Sequence, residues 1–188
     1  MRKLLYLVLA STCLSGCVTT AVVAGASSVA STVIYDKRGL KKIRQDAMIE
    51  RNFYNILDQQ DDLESSNIEV KSVNNNVLLV GYVASNKQKD MAYNIAKSLT
   101  NVHKVYDQLR VGHPSSAFDE AKDLWLSGRI KAALIKKKGI HSGQVTVVVH
   151  DSTAYLLGIL PNSNQAVAAD VVRQISGINK VVTLFENS

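Results

Sequence analysis

The fold of this chain is decided by a hydrophobic stretch that occurs twice. The first occurrence is Asn76-Val77-Leu78-Leu79-Val80-Gly81-Tyr82-Val83, and 77 residues later the chain reads Thr153-Ala154-Tyr155-Leu156-Leu157-Gly158-Ile159-Leu160. The apolar positions and the glycine coincide. Short apolar runs of this kind, rich in branched and aromatic side chains, are typical of buried β-strands. The two stretches therefore indicate that the chain contains a duplicated unit.

The match continues on both sides of the repeated stretch. Upstream, at the same spacing, a stripe with helical periodicity precedes a segment with strand alternation. The matched positions are Ile49, Phe53, Leu57, Ile68 and Val70 in the first copy and Leu126, Ile130, Leu134, Val145 and Val147 in the second. Downstream, where the spacing falls to 76, Asn101 aligns with Gly177, and both residue types favour the left-handed conformation that ends a helix.

Each copy therefore predicts the order α-β-β-α-β. For the first copy we predict a helix near 40–59, strands near 68–73 and 77–83, a helix near 86–100 and a strand near 105–111. For the second copy we predict a helix near 119–137, strands near 145–150 and 154–160, a helix near 163–176 and a strand near 180–185.

Tight turns connect the first two predicted strands of each copy. Asn74-Asn75 and Asp151-Ser152 are residues that reverse a hairpin, so these strands should be antiparallel. The last strand, reached through a helix, should enter the same sheet. The prediction is a two-layer α+β unit, in which two helices pack on one face of a three-stranded mixed sheet. Each unit has a small core, so we expect the copies to pack together, with the other sheet face open or against a neighbour.

The N-terminal sequence indicates where the protein is located. Leu14-Ser15-Gly16-Cys17 resembles the lipobox of bacterial lipoproteins and follows two basic residues and an apolar run, 4–10, that is too short to span a bilayer. The resemblance implies that residues 1–16 are a cleaved signal peptide and that Cys17 carries covalent diacylglyceryl and N-acyl lipid. Val18, in place of an aspartate, implies the outer membrane, with the protein facing the periplasm. The alternative is a plain secretory signal with an incidental cysteine.

Residues 17–39 are predicted to form the lipidated N-terminus and a flexible tether. The competing interpretation is a transmembrane helix over 18–35, but its many Ser, Thr, Gly and Ala residues make that stretch weakly apolar. Cys13 leaves with the signal peptide, which would exclude a disulfide or thiolate metal site in the mature chain. Removal of Arg2 and Lys3 lowers the net charge from +6 to +4. This balance is weaker than that of a dedicated nucleic-acid binder, and it suits work beside anionic lipid.

The repeated pattern with its glycine resembles the BON domain. Two such domains behind a lipobox resemble the dual BON-domain outer-membrane lipoproteins of the DolP type, with domain 1 at 40–112 and domain 2 at 113–188. Two further elements match that family, Asp36-Lys37-Arg38 after the tether and Asp123-Leu124-Trp125 in the first helix of domain 2. The resemblance implies that this helix binds an anionic phospholipid membrane. It also implies that the protein supports envelope integrity and acts near the outer-membrane protein assembly machinery.

The residues of this helix give an independent argument for lipid contact. Beside a core stripe, a second apolar stripe lies about a third of a turn away, and one small core cannot bury both. An aromatic residue among basic ones is what an interfacial helix on anionic lipid needs. The core stripe is Leu126, Ile130, Ala133 and Leu134; the second is Phe118, Ala121, Trp125, Gly128 and Ala132, with Arg129 and Lys136 on it and Lys131, Lys137 and Lys138 nearby. We predict phospholipid contact through Leu124, Trp125, Gly128, Arg129, Ala132 and Lys136.

Domain 1 serves as an internal control for this stripe. The residues equivalent to Trp125, Gly128, Arg129, Ala132 and Lys136 are Met48, Arg51, Asn52, Asn55 and Gln59. They are mostly polar, which favours a function specific to domain 2. The alternative is that Trp125 packs in the groove between the domains, or against a partner, and that the lysines form a solvated helix end that complements the helix dipole.

The sequence offers little support for catalysis. No arrangement of His, Cys or carboxylates predicts a metal site or a nucleophile; the four histidines are His103, His113, His141 and His150. Gly81 and Gly158 lack further phosphate-loop glycines and predict a bulge or close backbone packing. Asp61, Asp62 and Glu64 predict a loop. We therefore expect a non-enzymatic protein without a metal or nucleic-acid partner. The alternatives are a lipid-tethered interaction module or chaperone, and a hydrolase with a site assembled from distant residues.

Overall fold

The computed structural model describes residues 39–141 and 143–188. The predicted lipidation residue Cys17, residues 17–38 of the tether predicted over 17–39, and its Asp36-Lys37-Arg38 element lie outside these residues. Each half contains the predicted helix, two strands, helix and strand, so the duplicated α+β fold is confirmed. The elements are α1 (Gly39–Leu57), β1 (Asn67–Val73), β2 (Asn76–Val83), α2 (Asn86–Ser98), β3 (Lys104–Val111), α3 (Ala117–Leu134), β4 (Val145–His150), β5 (Thr153–Ile159), α4 (Asn162–Arg173) and β6 (Lys180–Glu186). No helix in the described ranges is long and apolar enough to cross a bilayer.

Each half forms a mixed three-stranded sheet whose middle strand is the repeated stretch. The orders are β1-β2-β3 and β4-β5-β6, with an antiparallel first pair and a parallel second pair. The predicted hairpins are confirmed, because both residues of each turn have positive φ, 51° and 67° for Asn74 and Asn75 and 48° and 55° for Asp151 and Ser152. That conformation matches the twist of the paired strands, and Asn and Asp tolerate it better than most residues.

The repeated glycine is required by close backbone packing, as predicted. Gly81 and Gly158 have φ of +121° and +152°, which residues with a side chain rarely adopt. A Cβ added to Gly81 would lie 2.0 Å from the carbonyl oxygen of Asn67, and one on Gly158 would lie 2.0 Å from that of Gln144. The glycine therefore lets the end of each central strand pass close to its antiparallel neighbour.

Two cores fill the space between helices and sheets. Phe53 anchors the first and Ile130 the second, and both are fully buried. The opposite faces of the two sheets form a third apolar cluster that contains residues of both domains. Its buried members are Val73, Leu78, Val80, Val148, Tyr155 and Leu157. The sheets therefore pack against each other and the helices lie outside, which gives four layers, α/β/β/α.

Polar contacts frame this sheet-to-sheet interface in an approximately twofold pattern. Arg110, near the end of β3, contacts Asp151 in the domain 2 hairpin at 2.7 Å. Its counterpart Glu186, at the end of β6, accepts hydrogen bonds from Asn74 and from Asn76 at the domain 1 hairpin. Equivalent positions thus meet reciprocally, as in an isologous dimer interface, although here both halves belong to one chain.

The structure corrects the ends of three predicted helices and the conformation of one predicted loop. Helices α2 and α4 end at Ser98 and Arg173, so Asn101 and Gly177 end the turn after each helix and not the helix itself, although both have positive φ as predicted. Helix α3 ends at Leu134 and not near Lys137, because Lys137 N donates to the Leu134 carbonyl and tightens the chain into a turn. Asp61–Leu63 forms a short 3-10 helix where a loop was expected.

Candidate functional site

The candidate site is the outer face of α3, and the sequence fixes where this helix begins. The Ser116 side chain accepts a hydrogen bond from Asp119 N at 3.2 Å, which satisfies one of the free N–H groups at the helix start. Asp119 and Glu120 place negative charge in the first turn, where the helix dipole favours it. The helix therefore starts two residues before the predicted position.

A buried carboxylate attaches α3 to the hairpin of its own domain. Asp123 accepts a hydrogen bond from Ser152 N at 3.0 Å, in the β4–β5 turn. Its counterpart in α1, Asp46, accepts from Ser72 Oγ, Asn74 N and Asn75 N at 2.8, 2.9 and 2.8 Å. The aspartate of the Asp-Leu-Trp element thus positions the helix. The sequence carries a signal of this shared role, because the two aspartates are also 77 residues apart.

The inner face of α3 packs as predicted and fixes the direction of the outer face. Leu126 and Ile130 are fully buried and Leu134 is 2% exposed. Three large apolar side chains are left in solvent on the other side: Phe118 is 79% exposed, Leu124 76% and Trp125 59%. Ala121, Gly128 and Ala132 lie exposed among them. A Cβ on Gly128 would have no neighbour within 4 Å, so packing does not require a glycine there.

The structure places Trp125 outside the interdomain groove. Its ring is not part of the apolar cluster between the sheets, and most of its surface is accessible. Arg129, one turn later, holds its guanidinium carbon 4.7 Å from the centroid of the Trp125 ring, which is cation–π geometry. The pair presents an apolar surface and a positive charge at one point of the helix.

Lys136 is separated from the other predicted contact residues. It lies in the turn after α3, beside Ile135, which is 55% exposed, and is followed by exposed Lys137 and Lys138. Positive charge therefore continues past the C-terminal end of the helix, where it also complements the helix dipole. The helix itself brings together Leu124, Trp125, Gly128, Arg129 and Ala132.

The equivalent face of α1 is exposed but differs in chemistry. Met48, the counterpart of Trp125, is 61% exposed, and the other four equivalent residues are also exposed and polar or charged, namely Arg51, Asn52, Asn55 and Gln59. The two helices thus share an architecture, and only α3 combines aromatic side chains with basic ones on its outer face.

The histidines of the described segments do not form a metal centre. Within residues 39–141 and 143–188 no group of three His, Cys, Asp or Glu side chains is arranged to hold a metal ion. His150 lies beside Tyr82, with ring centroids 5.3 Å apart, at the edge of the interface between the sheets. His150 and Tyr82 both lie next to Asp151.

Asp151 contacts several polar and charged groups at the interface. Partial burial raises the pKa of this carboxyl, but hydrogen bonds from Tyr82 and Ser115, together with the nearby charges of His150 and Arg110, outweigh it, and the net pKa lies below the usual value. Ser115 Oγ donates to it at 2.7 Å, so the linker between the domains is tied to the domain 2 hairpin.

Comparison with known proteins agrees with this architecture. The BON domain model matches residues 45–113 and 122–186. The chain is 30% identical over 187 residues to the outer membrane lipoprotein DolP of Haemophilus influenzae, covering 99% of this chain and 96% of that protein. It is 26% identical over 144 residues to the 21 kDa hemolysin of Actinobacillus pleuropneumoniae, covering 77% and 74%. It is 29% identical over 124 residues to the osmotically-inducible protein Y of Escherichia coli, covering 64% and 62%. The chain therefore belongs to the BON-domain family, as a two-domain protein of the DolP type.

Proposed function

We propose that this protein is a lipoprotein of the outer membrane, anchored through Cys17 and facing the periplasm, whose domain 2 binds anionic phospholipid through α3 and thereby supports envelope integrity. The observation that carries the proposal is the outer face of α3, where Trp125 is 59% exposed and Arg129 stacks on its ring. The name of the Haemophilus influenzae relative, an outer membrane lipoprotein, supports the location.

The physical argument is one of area and charge. Phe118, Leu124 and Trp125 each leave more than half of their surface in water, which is unfavourable for side chains of this size. An aromatic side chain buries about 150–250 Å², so transfer of the exposed part of Trp125 into an interface is worth about 2–4 kcal/mol at about 25 cal/mol per Å². Each nearby basic residue adds about 1 kcal/mol at an anionic surface. This strength suits reversible contact by a protein already held by its acyl chains.

The proposed function involves no catalytic step, no metal and no nucleic acid. The two proposed attachment points of the protein, Cys17 and α3, have different roles. The acyl chains on Cys17 would hold the chain permanently, whereas α3 would respond to the local content of anionic lipid.

The test is co-sedimentation of the lipid-free mature chain, with Cys17→Ser, on vesicles of phosphatidylglycerol and phosphatidylethanolamine and on vesicles of phosphatidylcholine alone. We expect binding only to the anionic vesicles and a loss of at least about tenfold in affinity in Trp125→Glu. Met48→Glu is the matched control, because it places the same charge at the equivalent, equally exposed position of α1. Equal binding by the two variants would refute the proposed contact.

The second candidate function is a lipid-tethered protein-interaction module or chaperone that acts on envelope proteins such as the outer-membrane protein assembly machinery. Leu124 favours it, because this exposed side chain also borders a cleft between the two domains. Photocrosslinking from position 124 in intact cells would support this function if it captured an envelope protein while the purified chain failed to bind anionic vesicles.

A further inference from the structure

The edge strand of domain 1 is covered by side chains of its own helix. In the β1–β2 hairpin, hydrogen-bonded pairs alternate with non-bonded ones, so the N–H groups of Val70 and Ser72 point away from β2. Both have acceptors on α1: Tyr54 OH accepts from Val70 N at 3.2 Å, and Glu50 Oε1 accepts from Ser72 N at 2.8 Å. This strand is therefore protected against pairing with another chain.

The corresponding edge in domain 2 lacks this protection. The outward N–H groups of β4 include those of Val147 and Val149, by the same register. The helix residues that replace Tyr54 and Glu50 are Lys131, whose ammonium cannot accept a hydrogen bond, and Ser127. Ser127 Oγ instead donates to the Val147 carbonyl at 3.4 Å. In the described parts of the chain, no side chain takes the place of the two acceptors of domain 1.

The uncovered edge forms part of the wall of a cleft between the domains. The cleft has a volume of about 510 Å³ and is bounded by β4, the flank of α3 and the β1 strand of domain 1. Its lining includes Glu69, Lys71, Glu120, Leu124, Lys131 and His150. Val147 and Val149 are only 5% and 8% exposed, because their side chains pack in the domain 2 core. The main-chain edge lies inside the cleft, between α3 and β1 of domain 1, so a single extended segment fits there better than the sheet edge of a second folded copy.

We propose that the β4 edge accepts an extended peptide segment of a partner protein by β-strand addition. The main chain of the segment supplies the carbonyl acceptors that Val147 N and Val149 N lack. Its side chains alternate, one set facing Leu124 on α3 and the other facing Glu69 and Lys71 on domain 1. The inference goes beyond phospholipid binding, because its ligand is a protein segment and its surface is the cleft beside β4, which shares only Leu124 with the predicted lipid-contact residues.

Charge in the cleft indicates the chemistry of the segment. Lys71 is already paired with Glu50 at 3.0 Å, whereas no described cation forms an ion pair with Glu69. Desolvation by the surrounding protein raises the pKa of Glu69, although its side chain keeps contact with solvent and Lys71 partly opposes the effect. A Lys or Arg on the domain 1 side of the segment would complement this carboxylate, and a branched apolar residue would suit the side of Leu124.

The experiment uses the mature chain with Cys17→Ser, without lipid, and a blocked hexapeptide of alternating valine and lysine. We expect saturable binding and amide hydrogen exchange at Val147 and Val149 slowed by at least about tenfold. Exchange at Val70 and Ser72 should not change. A peptide N-methylated at every residue has the same charge, but its methyl groups block the strand ladder on both edges, so it should not bind.

The decisive variant is Ser127→Glu combined with Lys131→Tyr, which gives β4 the two acceptors that protect β1. It should fold with unchanged or higher thermal stability and bind the peptide at least about tenfold more weakly. Because the variant makes the site more acidic, electrostatics alone would strengthen binding of this basic peptide. The proposal is overturned by unaltered binding to the variant, by binding that leaves Val147 and Val149 unprotected, or by no binding. Protection that grows with protein concentration without peptide would also overturn it, in favour of self-pairing.

Discussion

The two buried aspartates that attach the first helices to the hairpins should differ in their contribution to stability. Asp46 receives at least three hydrogen bonds from the described residues, two on Oδ1 from Ser72 Oγ and Asn75 N and one on Oδ2 from Asn74 N. Asp123 receives one, from Ser152 N. Replacement by asparagine retains one oxygen and puts an amide N–H₂ in the place of the other. Asp46→Asn therefore leaves at least one buried or partly buried donor without an acceptor, whereas Asp123→Asn need not.

The expected loss in the free energy of unfolding follows from these contacts. An unsatisfied buried donor costs about 1–3 kcal/mol, and each remaining bond loses about 1 kcal/mol when its acceptor is no longer charged. Asp46→Asn should therefore lower the free energy of unfolding by about 3–5 kcal/mol, and Asp123→Asn by about 1 kcal/mol. Urea denaturation at pH 7, followed by far-UV circular dichroism, measures both.

The control is Asp58→Asn, which removes the same charge from an exposed position just after α1 and should change stability by less than about 0.5 kcal/mol. Equal losses for Asp46→Asn and Asp123→Asn, or a loss for Asp46→Asn no larger than the control, would refute the idea that these carboxylates act through the number of hydrogen bonds they accept.

Three further predictions test other parts of the structure. Gly158→Ala should destabilise by about 3 kcal/mol, because its Cβ would meet the Gln144 carbonyl oxygen at 2.0 Å and φ is +152°; a loss below about 1 kcal/mol in urea denaturation would contradict this. Gly128→Ala, the same substitution at an open helix position, should stabilise by about 1 kcal/mol in the same assay, and a loss of stability would contradict it. The pKa of Asp151 is lowered in the folded protein, so its contribution is present above its ordinary value near 3.8 and is lost as pH falls through the folded pKa. Asp151→Asn should therefore flatten the acid limb of the stability profile below about pH 4, and an unchanged limb would contradict it.

The fold could be predicted from the sequence because the duplication removes ambiguity at each element. A single apolar run such as 76–83 could belong to a helix or a strand, but its recurrence, with Gly81 matched by Gly158 and a two-residue turn before each copy, leaves only the strand. The left-handed turns at Asn74-Asn75 and Asp151-Ser152 follow from the residue types alone.

What could not be predicted depends on the path of the backbone after a helix or on contacts between elements. The end of α3 at Leu134 comes from a turn closed by its own backbone, and nothing in the local sequence separates Lys136 from the helix. The role of Asp123 depends on where the hairpin of its domain lies. The exposure of Trp125 depends on which layers of the two domains meet. The sheets meet, so the helices, with Trp125, lie on the outside.

Contact between Trp125 and anionic lipid can be measured by fluorescence, because Trp125 is the single tryptophan of the chain. The measurement is the fluorescence of the lipid-free mature chain mixed with phosphatidylglycerol vesicles that contain lipids brominated on their acyl chains. We predict that Trp125 emission shifts to shorter wavelength and is quenched, because the ring enters the membrane interface while basic residues bind the anionic headgroups. Both changes should be reversed by high salt and should be absent with phosphatidylcholine vesicles. An emission spectrum that stays unshifted and unquenched while the protein is bound to the vesicles would contradict it.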